Sequence, residues 1–253
     1  LLETLTKNKF AFDIYHQSWT SCSGELACIC DFRSYRSDQS LDSTVDQQVK
    51  YDIFERLNSG SVKLEPQELR NATCRGPFKD LIKKLSKNAT FTELANLEVE
   101  GKRVQKMEDE ELVLRYFALT YQDAYMDYKG GFKKFLTISM TQLNELDNAE
   151  IEKLSNEFSS VMKLIKSKGQ LNPFAKFKVN EQGIPERMSK FNSAVYDAVV
   201  AVYRKCYLTD RDISSDDITS LFTDPAFFDA CQGSVNDVSK TQLRINMAKD
   251  LVK

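Results

Sequence analysis

Histidine is almost missing from this chain: His16 is the single example among 253 residues. One imidazole cannot furnish a two-histidine metal site, and it rules against an HNH-type nuclease centre within the chain. A Ser-His-Asp arrangement would have to use His16, and no G-x-S-x-G elbow accompanies it. Long apolar runs are missing too. Nothing approaches the ~18 residues that a membrane span requires, so a soluble chain without a membrane partner is expected. The N-terminus shows no basic region followed by an apolar core, which argues against a secretory signal and for the cytoplasm. Neither GxxxxGK[ST] nor GxGxxG occurs, and Gly130-Gly131 is an isolated pair that reads as a helix break. No charge sign dominates either, with 35 Lys and Arg against 37 Asp and Glu. Any nucleic-acid contact must therefore come from a local patch. The first residue is Leu1 rather than methionine, and upstream sequence is expected to be missing.

What is present is the composition of a globular protein, 42% hydrophobic and 28% charged, long enough to bury a real core. Six scattered cysteines read as reduced thiols of an intracellular chain. His16, Cys22, Cys28 and Cys30 can be lined up as four zinc ligands, but the C-x2-C knuckle is absent. Residues 25–35 alternate, with Leu26, Cys28, Cys30 and Phe32 on one face, which is a strand pattern that sends both cysteines to a core. No metal site is expected.

Helical periodicity dominates from residue 45 onward. Val45, Val49, Ile53, Phe54 and Leu57 form the apolar stripe of a first helix, stopped at Ser59-Gly60. Pro66 suits the first turn of the next one, and Gly76-Pro77 separates it from a helix bearing Phe78, Leu81, Ile82 and Leu85. Thr90 and Glu93 have capping-box spacing. Further helices are expected over residues 108–128, from Phe132 to Leu143, and over residues 149–167. Residues 169–185 hold two prolines and two glycines and read as irregular, a candidate hinge. Residues 192–207 are apolar enough for the centre of a bundle, and shorter helices follow over 216–222, 225–231 and 239–252. The expected fold is mainly α: a multi-helix bundle with a small N-terminal β remnant. Its regions are 1–44 as that remnant, 45–168 as a helical region and 169–253 as a C-terminal helical subdomain.

Three polar features stand out. The acidic run at residues 108–111 reads as a solvated face complementing a helix dipole. Lys79, Lys83, Lys84 and Lys87 give one helix a basic face, of the kind that is usually solvated and can also touch phosphates. Residues 51–72, YDIFERLNSGSVKLEPQELRNA, interleave Glu55, Arg56, Asn58, Glu68, Arg70 and Asn71 with apolar positions around a helix–turn–helix. They read equally as an internal polar network or as a ligand-facing set, since arginine and asparagine suit phosphates and base edges.

The same stretch resembles the F-E-R-L-N-[ST]-G…L-[ST]-x-[QE]-E-[IL]-R-N signature of the N-terminal domain family of GmrSD-type restriction endonucleases. Phe54, Glu55, Arg56, Leu57, Asn58, Ser59, Gly60, Leu64, Gln67, Glu68, Leu69, Arg70 and Asn71 match it. Similarity continues in GPFKDLIKKL from Gly76, EELVLRYFA from Glu110, FLTISM from Phe135 and SKFNSAVYDAV from Ser189. The resemblance implies a component of modification-dependent restriction directed against phage DNA. Its family pattern is a ParB/sulfiredoxin-like α+β unit with a D-G-Q-Q-R motif for nucleotide hydrolysis, then a helical region, with an HNH domain or subunit cleaving DNA. This chain has no D-G-Q-Q-R, since Asp46-Gln47-Gln48 lies in a helix just before Tyr51, and no HNH region. The implied role is nucleotide or DNA binding through Arg56, Asn58, Glu68, Arg70 and Asn71, with catalytic residues unassigned. A nucleotide triphosphate and a divalent metal would belong to the complete system, with none in this chain. DNA, an HNH nuclease and a further copy of the chain are the implied partners. The alternative is a non-catalytic helical scaffold of the same descent.

Overall fold

The computed structural model describes residues 64–252 and, before them, Ile53. The strand expected over residues 25–35, His16 with its neighbouring cysteines, and the remainder of the first helix lie outside the described residues. Chain contacts separate two units, Leu1–Leu64 with Glu68–Thr73 and Glu65–Gln67 with Cys74–Lys253. The architecture is mainly helical: eleven α-helices and one two-stranded sheet among the described residues.

Helix α1 (Pro66–Thr73) begins at the proline, whose missing N–H costs nothing in a first turn. Leu69, Arg70 and Thr73 are buried, and Thr73 Oγ1 donates back to the Leu69 carbonyl at 2.8 Å.

In the second unit, α2 (Pro77–Leu85) buries Phe78, Leu81, Ile82 and Leu85, the i, i+3, i+4, i+7 stripe of an amphipathic helix. Helix α3 (Ala89–Leu94) is capped by Asn88, whose Oδ1 accepts from Phe91 N at 3.1 Å. The capping-box spacing of Thr90 and Glu93 therefore points two residues too late: Asn88 holds the extended backbone a cap needs, and the helix is under way by Thr90. After the single turn α4 (Lys102–Gln105), α5 (Glu108–Thr120) is shorter than the pattern over 108–128 predicts. Gln122 and Asp123 take left-handed conformations at φ 50° and 56°, and the chain continues as a 3-10 turn to Asp127. Two successive left-handed residues end the α-helical ladder, and Arg204 Nη1 takes up the Thr120 carbonyl released there.

Helices α6 (Phe132–Leu143) and α7 (Asn148–Ser167) follow, the latter capped by Asp147 through Glu150 N at 2.8 Å. Residues 169–185 are less irregular than their prolines and glycines imply. They include β1 (Phe177–Val179), which pairs antiparallel with β2 (Pro185–Arg187), Phe177 standing opposite Arg187. Helix α8 (Ser193–Thr209) is capped by Asn192 and nearly all buried, as its apolar sequence requires. It is followed by α9 (Ser215–Ser220) with a Ser214–Asp217 capping box, α10 (Pro225–Ala230) and α11 (Val238–Lys249).

Helix α8 is the axis of this unit, packing against α5, α7 and α11, while α7 packs in turn on α2 and α3. Where α2, α3, α5 and α7 meet, aromatic rings interlock edge to face. Phe78 and Phe117 lie 5.4 Å apart, Phe91 and Phe158 5.5 Å, and Tyr116 and Phe158 5.0 Å. One apolar cluster runs through side chains from both sides of the 169–185 stretch. Among the described residues, no helix is long and apolar enough to cross a membrane.

Candidate functional site

Of the five residues singled out for ligand contact, Arg56 and Asn58 lie outside the described residues. The other three share α1. Glu68 is half-buried, Arg70 is fully buried and Asn71 is 8% exposed. The acidic run also differs from a uniformly solvated face: Asp109 and Glu110 are buried at the start of α5, and Asp109 Oδ2 accepts from Lys87 Nζ at 2.7 Å. A carboxylate in the first turn still opposes the positive end of the helix dipole, so the dipole argument holds while the exposure does not.

The most concentrated polar chemistry sits inside the core, at residues that sequence patterning did not single out. Asp197 of α8 is shared by two arginines. Arg115 of α5 grips it through two nitrogens, Nε to Oδ1 and Nη2 to Oδ2, and Arg244 Nη2 of α11 reaches Oδ2 at 2.5 Å. A fork-to-fork pair fixes orientation as well as distance. Two cations share one carboxylate, so neutral groups take up the excess. Asn236 Oδ1 accepts from Arg115 at 3.1 Å, the Phe132 ring lies 4.2 Å from its guanidinium carbon, and the Ala230 and Val235 carbonyls accept from Arg244. Burial works against the Arg115 cation, but Asp197 more than offsets it and holds its pKa above the ordinary value. Arg244 and Asp197 are wholly shut off from solvent, so the triad joins three helices and offers nothing to a ligand.

Seven residues along the same helix, Arg204 makes a second buried pair with Glu157 of α7, Nε to Oε1 at 2.7 Å and Nη2 to Oε2 at 3.0 Å. Tyr116 Oη donates to the same carboxylate at 3.2 Å. Burial first, then the Glu157 charge, pushes the Tyr116 hydroxyl well above its usual pKa. Unlike the triad, this pair has one member, Glu157, on the wall of an open groove of about 520 Å³ that Ala149, Glu152, Lys153, Asn156, Tyr207 and Leu208 also line. Tyr121, at the start of the 3-10 turn, donates to Glu150 at 3.5 Å, and the groove residue Lys153 approaches the same carboxylate at 3.5 Å. The groove carries both charge signs and no nucleophile–base pair. Among the described residues, no three His, Cys, Asp or Glu side chains gather where they could hold a metal ion.

On the outside, α2 presents the basic face that its spacing predicts. Lys83 and Lys84 are exposed, Lys79 is half-buried, and none of the three has an ion-pair partner among the described residues. Lys87, just past the helix, stays largely exposed while it holds Asp109.

The fold and its polar chemistry define a helical bundle unit, cross-linked internally by arginine–carboxylate contacts, with a lysine-rich helix on its surface. Comparison with protein-family models, with curated proteins and with solved structures finds no match.

Proposed function

We propose that this chain is the helical part of a GmrSD-like modification-dependent restriction system that acts in phage defence. It contributes to nucleotide or DNA binding, while catalysis lies upstream or on a partner. The observation that supports this reading is the meeting of two of its motifs. Arg115 of EELVLRYFA and Asp197 of SKFNSAVYDAV, 82 residues apart, are direct partners at the centre of the unit. Segments that match separately and pack together belong to one folded framework. GPFKDLIKKL and FLTISM join it through Phe78, Leu81, Ile82, Leu85, Leu136 and Met140, all buried. Under this reading the nucleotide triphosphate and any divalent metal belong to the complete system with its HNH nuclease, in the cytoplasm. No step in this unit is routed through a metal.

The test is binding by the purified chain, measured by fluorescence anisotropy with duplex DNA of modified and unmodified bases and with labelled GTP and ATP. The expected result is binding of DNA or nucleotide that Arg56→Ala weakens by about tenfold or more, the loss of one charged contact. Binding of neither ligand, or unchanged affinity in a folded Arg56→Ala variant, overturns it. Arg70→Ala is a less clean probe, because a fully buried arginine also supports the fold.

A second reading, a non-catalytic scaffold, is favoured by exposed apolar side chains in the turn of the β-hairpin and just after it: Ile184 at 58% and Met188 at 56%. It expects no ligand binding and an association with a nuclease subunit that Ile184→Ser with Met188→Ser abolishes, read by sedimentation.

A further inference from the structure

Helix α2 carries more positive charge than its fold requires. Lys83 and Lys84 fall in its last turn, where a cation complements the negative end of the helix dipole. That account fails for Lys79, which stands in the first turn, at the positive end, beside the single acidic residue Asp80. Spacing sharpens the point. Residues four apart are neighbours on a helix, so Lys79 meets Lys83, and Lys83 lies four before Lys87, just past the helix end. These are like charges where a solubilising face would alternate signs. Asp80 with Lys84 is the one opposite-charge pair at this spacing.

The row runs along one side of the helix, opposite the stripe of Phe78, Leu81, Ile82 and Leu85, which anchors the helix to α5 and α7. Lys87 is tied to Asp109 at 2.7 Å, so the unpaired lysines run from Lys79 to Lys84, about 7.5 Å along the helix axis. One DNA strand places a phosphate about every 3.4 Å of duplex axis, so such a row can reach two or three successive phosphates on one strand. Asn144 fixes the amino end of the helix: its Oδ1 accepts from Lys79 N at 3.1 Å, so the row is presented on a rigid support.

We infer that the lysine face of α2, formed by Lys79, Lys83 and Lys84, is a duplex-DNA surface that contacts the phosphate backbone independently of sequence. The inference rests on the DNA-binding part of the reading above and names the surface that performs it. Phosphate contacts of this kind supply affinity and position, not base recognition, so discrimination of a modified base falls to other residues or to a partner.

The experiment compares the full chain with the triple variant Lys79→Gln, Lys83→Gln, Lys84→Gln. A control variant of equal charge, Lys153→Gln, Lys178→Gln, Lys190→Gln, removes exposed lysines from other elements. Affinity for a 30-base-pair duplex is measured by anisotropy from 50 to 200 mM salt, with circular dichroism confirming that both variants fold. The expected result is wild-type binding with a steep salt dependence. The α2 variant should bind at least tenfold more weakly, with the slope of log affinity against log salt shallower by about 2.7, near 0.9 for each lost phosphate contact. The control should keep the wild-type slope. If wild-type protein binds and the α2 variant behaves like the control, this surface is wrong while DNA binding elsewhere stands. If wild-type protein binds no duplex at 50 mM salt, or prefers RNA or anionic vesicles over duplex, the inference is overturned.

Discussion

Cations occupy two contrasting situations in the second unit. Arg115, Arg204 and Arg244 are buried against carboxylates, whereas Lys79, Lys83 and Lys84 stand on the outside of α2 without ion-pair partners among the described residues. Guanidinium suits the first role because it is planar, weakly hydrated and able to bond a carboxylate at two points. Ammonium on a flexible stem suits the second, because it tracks a phosphate backbone as a mobile point charge. The difference teaches where function should be sought. Arg115 serves the framework, whereas the plainer lysines of α2 have no ion-pair partner among the described residues.

The sharpest way to break this contrast is to remove the shared carboxylate. Asp197→Asn leaves two buried arginines without their anion and should lower unfolding free energy by about 3–5 kcal/mol, the usual cost of orphaning a buried charge. Urea denaturation followed by circular dichroism measures it, and a midpoint equal to wild type would show that the triad is not structural. Glu157→Gln should cost less, about 1.5–3 kcal/mol, since the Arg204 side chain keeps 11% exposure to water where Arg244 has none. A loss larger than that of Asp197→Asn would reverse the ranking of the two sites.

The support of the lysine row can be perturbed separately. A β-carbon at Gly76 would stand 2.5 Å from Asn144 Oδ1, the group that holds Lys79 N. Gly76→Ala should therefore cost about 1–3 kcal/mol through overpacking, beyond the backbone strain of its φ of 157°, and the overpacking part should disappear in an Asn144→Gly background, where the obstructing side chain is gone. Equal losses in the two backgrounds would show that backbone strain at Gly76, not the contact with Asn144, sets the cost.

The core also predicts alkaline sensitivity. Burial pushes the Cys231 thiol from its ordinary 9.0 up to about 12. The folded state then keeps a proton that the unfolded state gives up, so this contribution is complete below pH 9 and is lost as pH rises toward 12. Tyr116 and Tyr196, raised chiefly by burial, act in the same direction. Urea midpoints should fall from pH 9 upward, and less steeply in Cys231→Ala; a midpoint rising over that range would contradict the burial account. By contrast, the triple lysine-to-glutamine variant of α2 should stay within about 0.5 kcal/mol of wild type, as surface changes generally do.

Much of the helical frame was legible because burial imposes its period on the sequence. Phe78, Leu81, Ile82 and Leu85 mark α2, and the apolar run around Val195, Val199 and Val202 marks α8 as the centre. The break after Thr120 was not legible, since Gln122 and Asp123 adopt a left-handed backbone without a glycine or proline to announce it. The β-hairpin was obscured by a strand of three residues, too short to show alternation. The buried triad was also missed, because its members are spread over three helices. A signal did exist: Arg115 and Asp197 are oppositely charged residues set among apolar neighbours, LVL and YFA for Arg115, AVY and AVVAV for Asp197. Their pairing needed the tertiary fold to reveal it. The lysine row was legible as a face, and the structure adds that Lys83 and Lys84 stay exposed, that Lys79 is half-buried and that Lys87 is tied to Asp109.

The most direct test of the division between framework arginines and contact lysines is lysine footprinting of the intact chain. Acylation by a mild amine-reactive reagent, with and without saturating duplex DNA, is quantified by mass spectrometry at each lysine. The account predicts strong DNA-dependent protection of Lys79, Lys83 and Lys84 and unchanged labelling of exposed Lys178 and Lys190. Equal labelling of the α2 lysines with and without bound DNA would contradict it.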